Sequence, residues 1–163
     1  MIRYIPPQKP VLAERRRPDQ YGAGHFGAPR GNRKHNGIDY TMAPGSAVLT
    51  VAAGHVTVIG YPYATGVGGV NESADPYRYV EIADEQGYRA RYFYVQPAVG
   101  EGEFVCKGEE IGLLRSLRPR LPNITEHLHF EVRDPDGKII NPEQYFLIIK
   151  GRTNAPCNVP PDP

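Results

Sequence analysis

No stretch of this 163-residue chain approaches the roughly 18 consecutive apolar residues that a membrane-spanning helix needs. An apolar core of the secretory-signal kind is missing from the N-terminus, which runs Met1-Ile2-Arg3-Tyr4-Ile5-Pro6-Pro7. The expectation is therefore delivery by another route, phage-borne or as an effector, or a trimmed domain. An excess of either charge is lacking as well. Lys and Arg number 19 against 18 Asp and Glu, net +1, so nothing favours nucleic acid as a partner. Cysteine is scarce. Cys106 and Cys157 have no ligand-like neighbour spacing, which excludes a thiolate metal site, and a disulfide between them stays open. Long amphipathic helical patterns and internal repeats are also missing.

What is present is turn chemistry. Eighteen Gly and 17 Pro make up about a fifth of the chain, and Tyr occurs 11 times. That composition suits a mainly β fold with many turns, and the length suits one domain with one core. Residues 1–18 read as an extended leader in which Arg15-Arg16-Arg17 is a solvated run. Residues 19–150 read as the folded domain and 151–163 as a disordered tail. Strand signals fall at 37–40, 47–51 and 55–60, with Val56 and Val58 on one face. Residues 77–83 and 88–95 read as a hairpin closed by Asp84-Glu85-Gln86-Gly87. In its second strand Tyr88, Ala90, Tyr92 and Tyr94 share one face, and Arg89, Arg91, Phe93 and Val95 the other. Residues 103–106 and 110–114 look like a second hairpin. Asn141 and Pro142 start a short helix as cap and first residue.

Chemistry concentrates at two places. His35-Asn36-Gly37-Ile38-Asp39 sets a His and an Asp four residues apart, with Gly37 arguing against a helix. Glu126-His127-Leu128-His129-Phe130-Glu131 sets two His on one face of a strand, with Leu128, Phe130 and Val132 behind them. His35, Asp39 and His129 form a candidate set of three N/O ligands with a fourth position left to water, the usual form of a hydrolytic zinc site. His127 then lies near that water as a general base or oxyanion donor. His25 and His55 read as bystanders. The Gly-rich run 21–31 and the long loop 61–76 are candidate walls of a groove. Arg30, Arg33, Tyr61 and Tyr63 are candidate substrate contacts by location.

Over residues 21–145 the chain resembles the M23 zinc metallopeptidases of the lysostaphin/LytM type. His35-Asn36-Gly37-Ile38-Asp39 looks like their H-x-G-x-D and His127-Leu128-His129-Phe130-Glu131 like their H-x-H-F-E. The segments Ala43-Pro44-Gly45-Ser46-Ala47-Val48 and Val105-Cys106-Lys107-Gly108-Glu109-Glu110-Ile111-Gly112 match further motifs in the same order. The resemblance implies a compact antiparallel β-sheet domain with a groove walled by loops. It implies one Zn2+ per chain on His35, Asp39 and His129, with His127 catalytic. It implies hydrolysis of peptide bonds in bacterial peptidoglycan, outside the cytoplasm on the cell wall, by a monomer. One position departs. Tyr94 stands where the family has a second catalytic His, and Phe93-Tyr94-Val95-Gln96-Pro97 resembles a stretch of the leukocyte chemotaxin branch. Two readings result. Either Tyr94 is a neutral donor beside the metal, or the chain is a catalytically lapsed, zinc-containing binding module.

Overall fold

A computed structural model describes residues 14–63, 76–152 and 157. Twelve short strands and one helix carry the described chain. The larger sheet runs β12 (Ile139–Ile140), β11 (His127–Arg133), β7 (Arg89–Phe93), β6 (Tyr79–Ala83), β5 (Gly54–Gly60), β9 (Phe104–Val105), with β3 (Ile38–Thr41) also on β11. A three-stranded sheet orders β4 (Ala47–Leu49), β10 (Glu110–Leu114), β8 (Val95–Pro97). A two-residue ladder, β1 (Pro29–Arg30) on β2 (Arg33–Lys34), lies in the glycine-rich run. Every pairing is antiparallel. Among the described residues no helix is long and apolar enough to cross a membrane.

The core follows from strand alternation. Leu128, Phe130 and Val132 of β11 are fully buried with Tyr92, Val80 and Val56, leaving His127, His129 and Glu131 on the opposite face. The β6–β7 hairpin closes as the sequence predicts, because the Asp84 carboxylate accepts from the amides of Gln86 and Tyr88. Helix α1 (Pro142–Lys150) starts where expected, with the Asn141 side chain accepting from the Glu143 amide.

Several expectations are corrected. Residues 103–106 and 110–114 do not pair. Phe104 and Val105 join β5, whereas β10 joins β4 and β8. Val105 and Ile111 both enter the core, each from its own sheet, so the turn between them bridges the two sheets. A bulge between Val56 and Val58 sets Val58 opposite Glu81 and returns the inward position to Ile59. The arginine run is not uniformly solvated. Arg15 bridges to Tyr40, and Arg16 is 2% exposed. Of the tail, Arg152 binds Asp84 and Gln86, and Cys157 is disulfide-bonded to Cys106. The rest of the leader and tail expectations, and positions 64–75 of the long loop, lie outside the described residues.

Candidate metal centre

Three donor atoms from two chain segments converge on one point. Strand β3 lies antiparallel to β11 in a register that sets Asp39 opposite His129, so the two side chains leave the sheet on the same face. His35 enters from the loop before β3. Its Nε2 lies 3.1 Å from Asp39 Oδ1 and 3.0 Å from His129 Nδ1, and His129 Nδ1 lies 2.8 Å from Asp39 Oδ1. The middle glycine of the first motif has a steric reason. A Cβ on Gly37 would stand 2.3 Å from the Phe130 carbonyl oxygen and 2.9 Å from His129 Cε1.

The surrounding groups decide which atoms face inward. His35 Nδ1 donates to the His25 carbonyl at 2.8 Å, leaving the Nε2 lone pair pointing at the centre. His129 Nε2 donates to Glu131 Oε1 at 2.9 Å, leaving the Nδ1 lone pair inward. Asp39 Oδ2 is occupied by Arg16 Nε and NH2 at 3.1 and 3.0 Å and by Arg30 NH2 at 3.4 Å, so Oδ1 turns inward. Three lone-pair donors thus face one another at contact distance, an arrangement that repels itself unless a cation or a proton sits among them. Nitrogen and oxygen ligands about 2.0–2.1 Å from a tetrahedral ion such as zinc stand roughly 3.3 Å apart. The donor triangle is slightly tighter than that and fits with little movement.

Electrostatics agree. Burial opposes ionisation of Asp39, but the His129 and His35 imidazoles in contact with it outweigh that and hold the carboxyl well below its usual range. Burial likewise opposes charge on His129, but hydrogen bonds to Asp39 and Glu131 prevail and push its pKa up to about 9. With no cation bound, a proton on His129 relieves the crowded lone pairs.

His127 stands beside this set. Its Nδ1 donates to the Thr125 carbonyl at 2.7 Å, so Nε2 carries the lone pair, and it lies 3.6 Å from Asp39 Oδ1. Burial lowers its pKa against the pull of Asp39, which keeps the ring neutral at pH 7. Tyr94 is edge-on to that ring, with centroids 5.9 Å apart. Strand alternation would bury it with Tyr92. Instead Tyr94 adopts φ 68, the left-handed region that non-glycine residues rarely occupy, and so joins Phe93 on the side of the site. Its amide and that of Val95 both donate to the Arg78 carbonyl. Such strain clusters at functional positions. Burial, then Tyr63 and Asp39, raise its pKa well above 10, so the phenol is neutral.

The four proposed substrate contacts separate. Arg30 turns inward, donating to the Ala23 carbonyl at 2.6 Å and lying against Asp39. Arg33 is exposed on β2. Tyr61 lies under Arg78, 3.9 Å from guanidinium to ring centroid. Tyr63 stacks on Tyr94 and carries Arg120 at 3.6 Å over its ring. His55 pairs with Phe104 at the start of β5, and His25 contributes its carbonyl rather than its ring.

Some residues of the site are missing from the sequence reading. Glu131 was legible, since it lies two residues beyond His129 on the same strand face. Arg16 and Asp19 carried no signal. The Asp19 carboxylate accepts from the amides of Tyr21 and Thr125 and pairs with Arg16 NH1 at 2.7 Å, tying the segment before the glycine-rich run to the loop that orients His127. Glu126, also buried, accepts from Ser116 Oγ and the Leu117 amide and anchors that same loop.

Comparison with known proteins places this geometry. The pattern of Peptidase family M23 matches residues 33–142, about two-thirds of the chain and all three donors. Mouse leukocyte cell-derived chemotaxin-2 is 30% identical over 119 residues, covering 69% of each chain. A zinc containing peptidase from Vibrio cholerae is 26% identical with TM-score 0.55, over 82% of this chain and 37% of that one. The catalytic domain of lysostaphin from Staphylococcus simulans shares the fold at 21% identity, with TM-score 0.58 over 77% of this chain and 90% of that one. A match of that extent, carrying the donor set within it, means that the chain belongs to peptidase family M23.

Proposed function

We propose that this chain is a zinc-dependent endopeptidase that hydrolyses peptide bonds in bacterial peptidoglycan. The observation that carries the reading is the trio of inward lone pairs on His35, Asp39 and His129, beside a neutral imidazole, His127, that is not itself a donor to the centre. Two imidazoles and one carboxylate suit zinc, with a corner left open. Zinc bound there would supply an acidified water and polarise the scissile carbonyl.

The chain's own residues do the rest. His127 Nε2 accepts a proton while its Nδ1–H stays on the Thr125 carbonyl, which stabilises the imidazolium that results. Tyr94, neutral and held beside His127 by its left-handed backbone, offers a phenol proton to the oxygen on which negative charge develops. Glu131 and the His25 carbonyl keep the two imidazoles in the required tautomers. Action outside the cytoplasm is part of the proposal. The Cys106–Cys157 disulfide supports it, because such bonds persist in oxidising compartments.

The test is incubation of zinc-loaded protein with purified peptidoglycan and muropeptides, with fragments read by mass spectrometry. New amine termini are expected, lost in His127→Ala with zinc retained, and lost together with zinc in His129→Ala. Intact substrate under conditions where lysostaphin cleaves its own would refute the enzyme. A specific observation keeps a second reading in view. The 30% identity to mouse leukocyte cell-derived chemotaxin-2, together with the neutral, left-handed Tyr94 beside His127, supports a zinc-containing binding module, for which muropeptides would be retained but never cut.

A further inference from the structure

Arg16 is the middle one of three consecutive arginines and the one that faces inward. Residues 14–16 lie along the outer edge of β3, where Arg16 N donates to the Asp39 carbonyl at 2.7 Å and Thr41 N to that of Glu14 at 2.8 Å. Strand alternation then turns Arg15 and Arg17 to solvent and sets the Arg16 side chain against the centre. The seat is tight. A Cβ on Gly24 would stand 2.8 Å from the Arg16 carbonyl oxygen, 2.9 Å from Arg16 Cβ and 3.2 Å from Asp39 Cβ. From that seat one bridge runs through the site. Asp39 Oδ2 accepts from Arg16 Nε and Nη2. Arg16 Nη1 pairs with Asp19 Oδ1 at 2.7 Å, and Asp19 Oδ2 accepts from the Thr125 amide at 3.1 Å. The Thr125 carbonyl in turn accepts from His127 Nδ1.

Resting on the function proposed above and deepening it, we propose that Arg16 and Asp19 are positioning residues of the hydrolase. Their ion-paired bridge holds the ligand Asp39 and the proton-accepting His127 in fixed relation. Both residues lie before the stretch 33–142 that matches the family pattern. At the Asp39 end the bridge decides how many oxygens the ligand offers. Oδ2 is held by Arg16 and, at 3.4 Å, by Arg30, so Oδ1 alone faces His35 and His129 and a corner stays open. At the other end it fixes the carbonyl that sets the tautomer and direction of the His127 ring. Fold stability alone does not call for this arrangement. A guanidinium buried between two carboxylates carries a desolvation penalty that an apolar filler avoids. The planar fork of an arginine, however, reaches two carboxylates at once in set directions.

The experiment uses the full chain and two conservative variants. Asp19→Asn keeps an oxygen toward Arg16 and the Tyr21 amide but turns its NH2 group on the Thr125 N–H, so one bond of the bridge is cut. Arg16→Lys keeps the charge and loses the fork. At saturating zinc, kcat for a muropeptide is expected to fall about 10–100-fold in each with KM unchanged, the scale of a misplacement of about 1 Å. The double variant is expected to be no slower than the slower single one, because a bridge already cut has nothing more to lose. Two readouts need no turnover. The His127 Nδ1–H proton resonance of the zinc form shifts or broadens in Asp19→Asn. The visible bands of the cobalt-loaded chain weaken in Arg16→Lys, as a freed Oδ2 raises the coordination number. Parental kcat in the folded variants overturns the proposal, as do losses that multiply in the double variant. A fall in kcat that only follows the unfolded fraction on the melting curve, with parental proton and cobalt spectra, also overturns it, since the role would then be structural. A parent chain that cuts no muropeptide refutes the hydrolase alone, and the proton resonance and cobalt bands then decide the bridge.

Discussion

Replacing Glu131 with alanine removes the acceptor that holds the His129 ring. Glu131 is 8% exposed and its carboxylate accepts from His129 Nε2 at 2.9 Å, while Nδ1 of the same ring faces Asp39 and His35. Two effects act in the same direction. The ring loses its fixed tautomer and orientation, and its inward nitrogen loses the basicity that a negative partner confers. Loss of such a partner weakens metal binding by about 10–100-fold, or ~1.4–2.7 kcal/mol. That range agrees with the ~1.5–3 kcal/mol of a hydrogen bond to a charged group. Glu131→Gln separates the effects, because the amide oxygen accepts the same bond without the charge, so its affinity falls between parent and alanine. Zinc competition against a chromophoric chelator reads all three proteins at one pH. An alanine variant that binds zinc within about threefold of the parent would show that Glu131 does not orient the ligand, well short of the loss expected.

Three further outcomes follow from the same geometry. Arg16→Ala leaves the buried Asp39 Oδ2 with Arg30 alone and is expected to destabilise the metal-free protein by about 3–5 kcal/mol, the cost of breaking a buried pair; urea denaturation reads this, and a change under about 1 kcal/mol would contradict it. Tyr94→Phe keeps the ring and the backbone but deletes the donor, so turnover of a muropeptide is expected to fall about 10²–10³-fold with zinc retained; an unchanged rate would leave Tyr94 a wall residue. Burial pushes the Tyr92 phenol up to about 12, where its oxygen also accepts from the Val51 amide. The unfolded chain ionises this group near pH 10 and the folded chain does not. The stabilisation is therefore fully present below about pH 10, lost as pH rises through about 12, and totals about 3 kcal/mol. Denaturation midpoints across that window, with phenolate absorbance as a second probe, check it against Tyr92→Phe.

Local and periodic features were legible along the chain. The shared face of His127 and His129, the turns at 84–87 and 134–137, and the Asn141-Pro142 helix start all depend on neighbours within a few residues. Glu131 belonged to that class and was readable by the same two-residue period. The grouping of His35, Asp39 and His129 was also legible, because the residue types and their spacing within each motif restrict what they can do.

Tertiary structure decided what crosses the chain. The register that sets Asp39 against His129 depends on β3 adding to β11, some ninety residues away in sequence. Arg16 reaches Asp39 only because residues 14–16 run along β3, where Arg16 N donates to the Asp39 carbonyl and Thr41 N to that of Glu14. Tyr94 changes face through a single left-handed residue that alternation cannot foresee. The strands around Lys107 part into two sheets because Val105 and Ile111 are both needed inside, and the partner of Cys106 lies 51 residues on. A side chain's type and near neighbours set the chemistry it can offer. The direction it points, and the group it meets, come from long-range packing that no local pattern encodes.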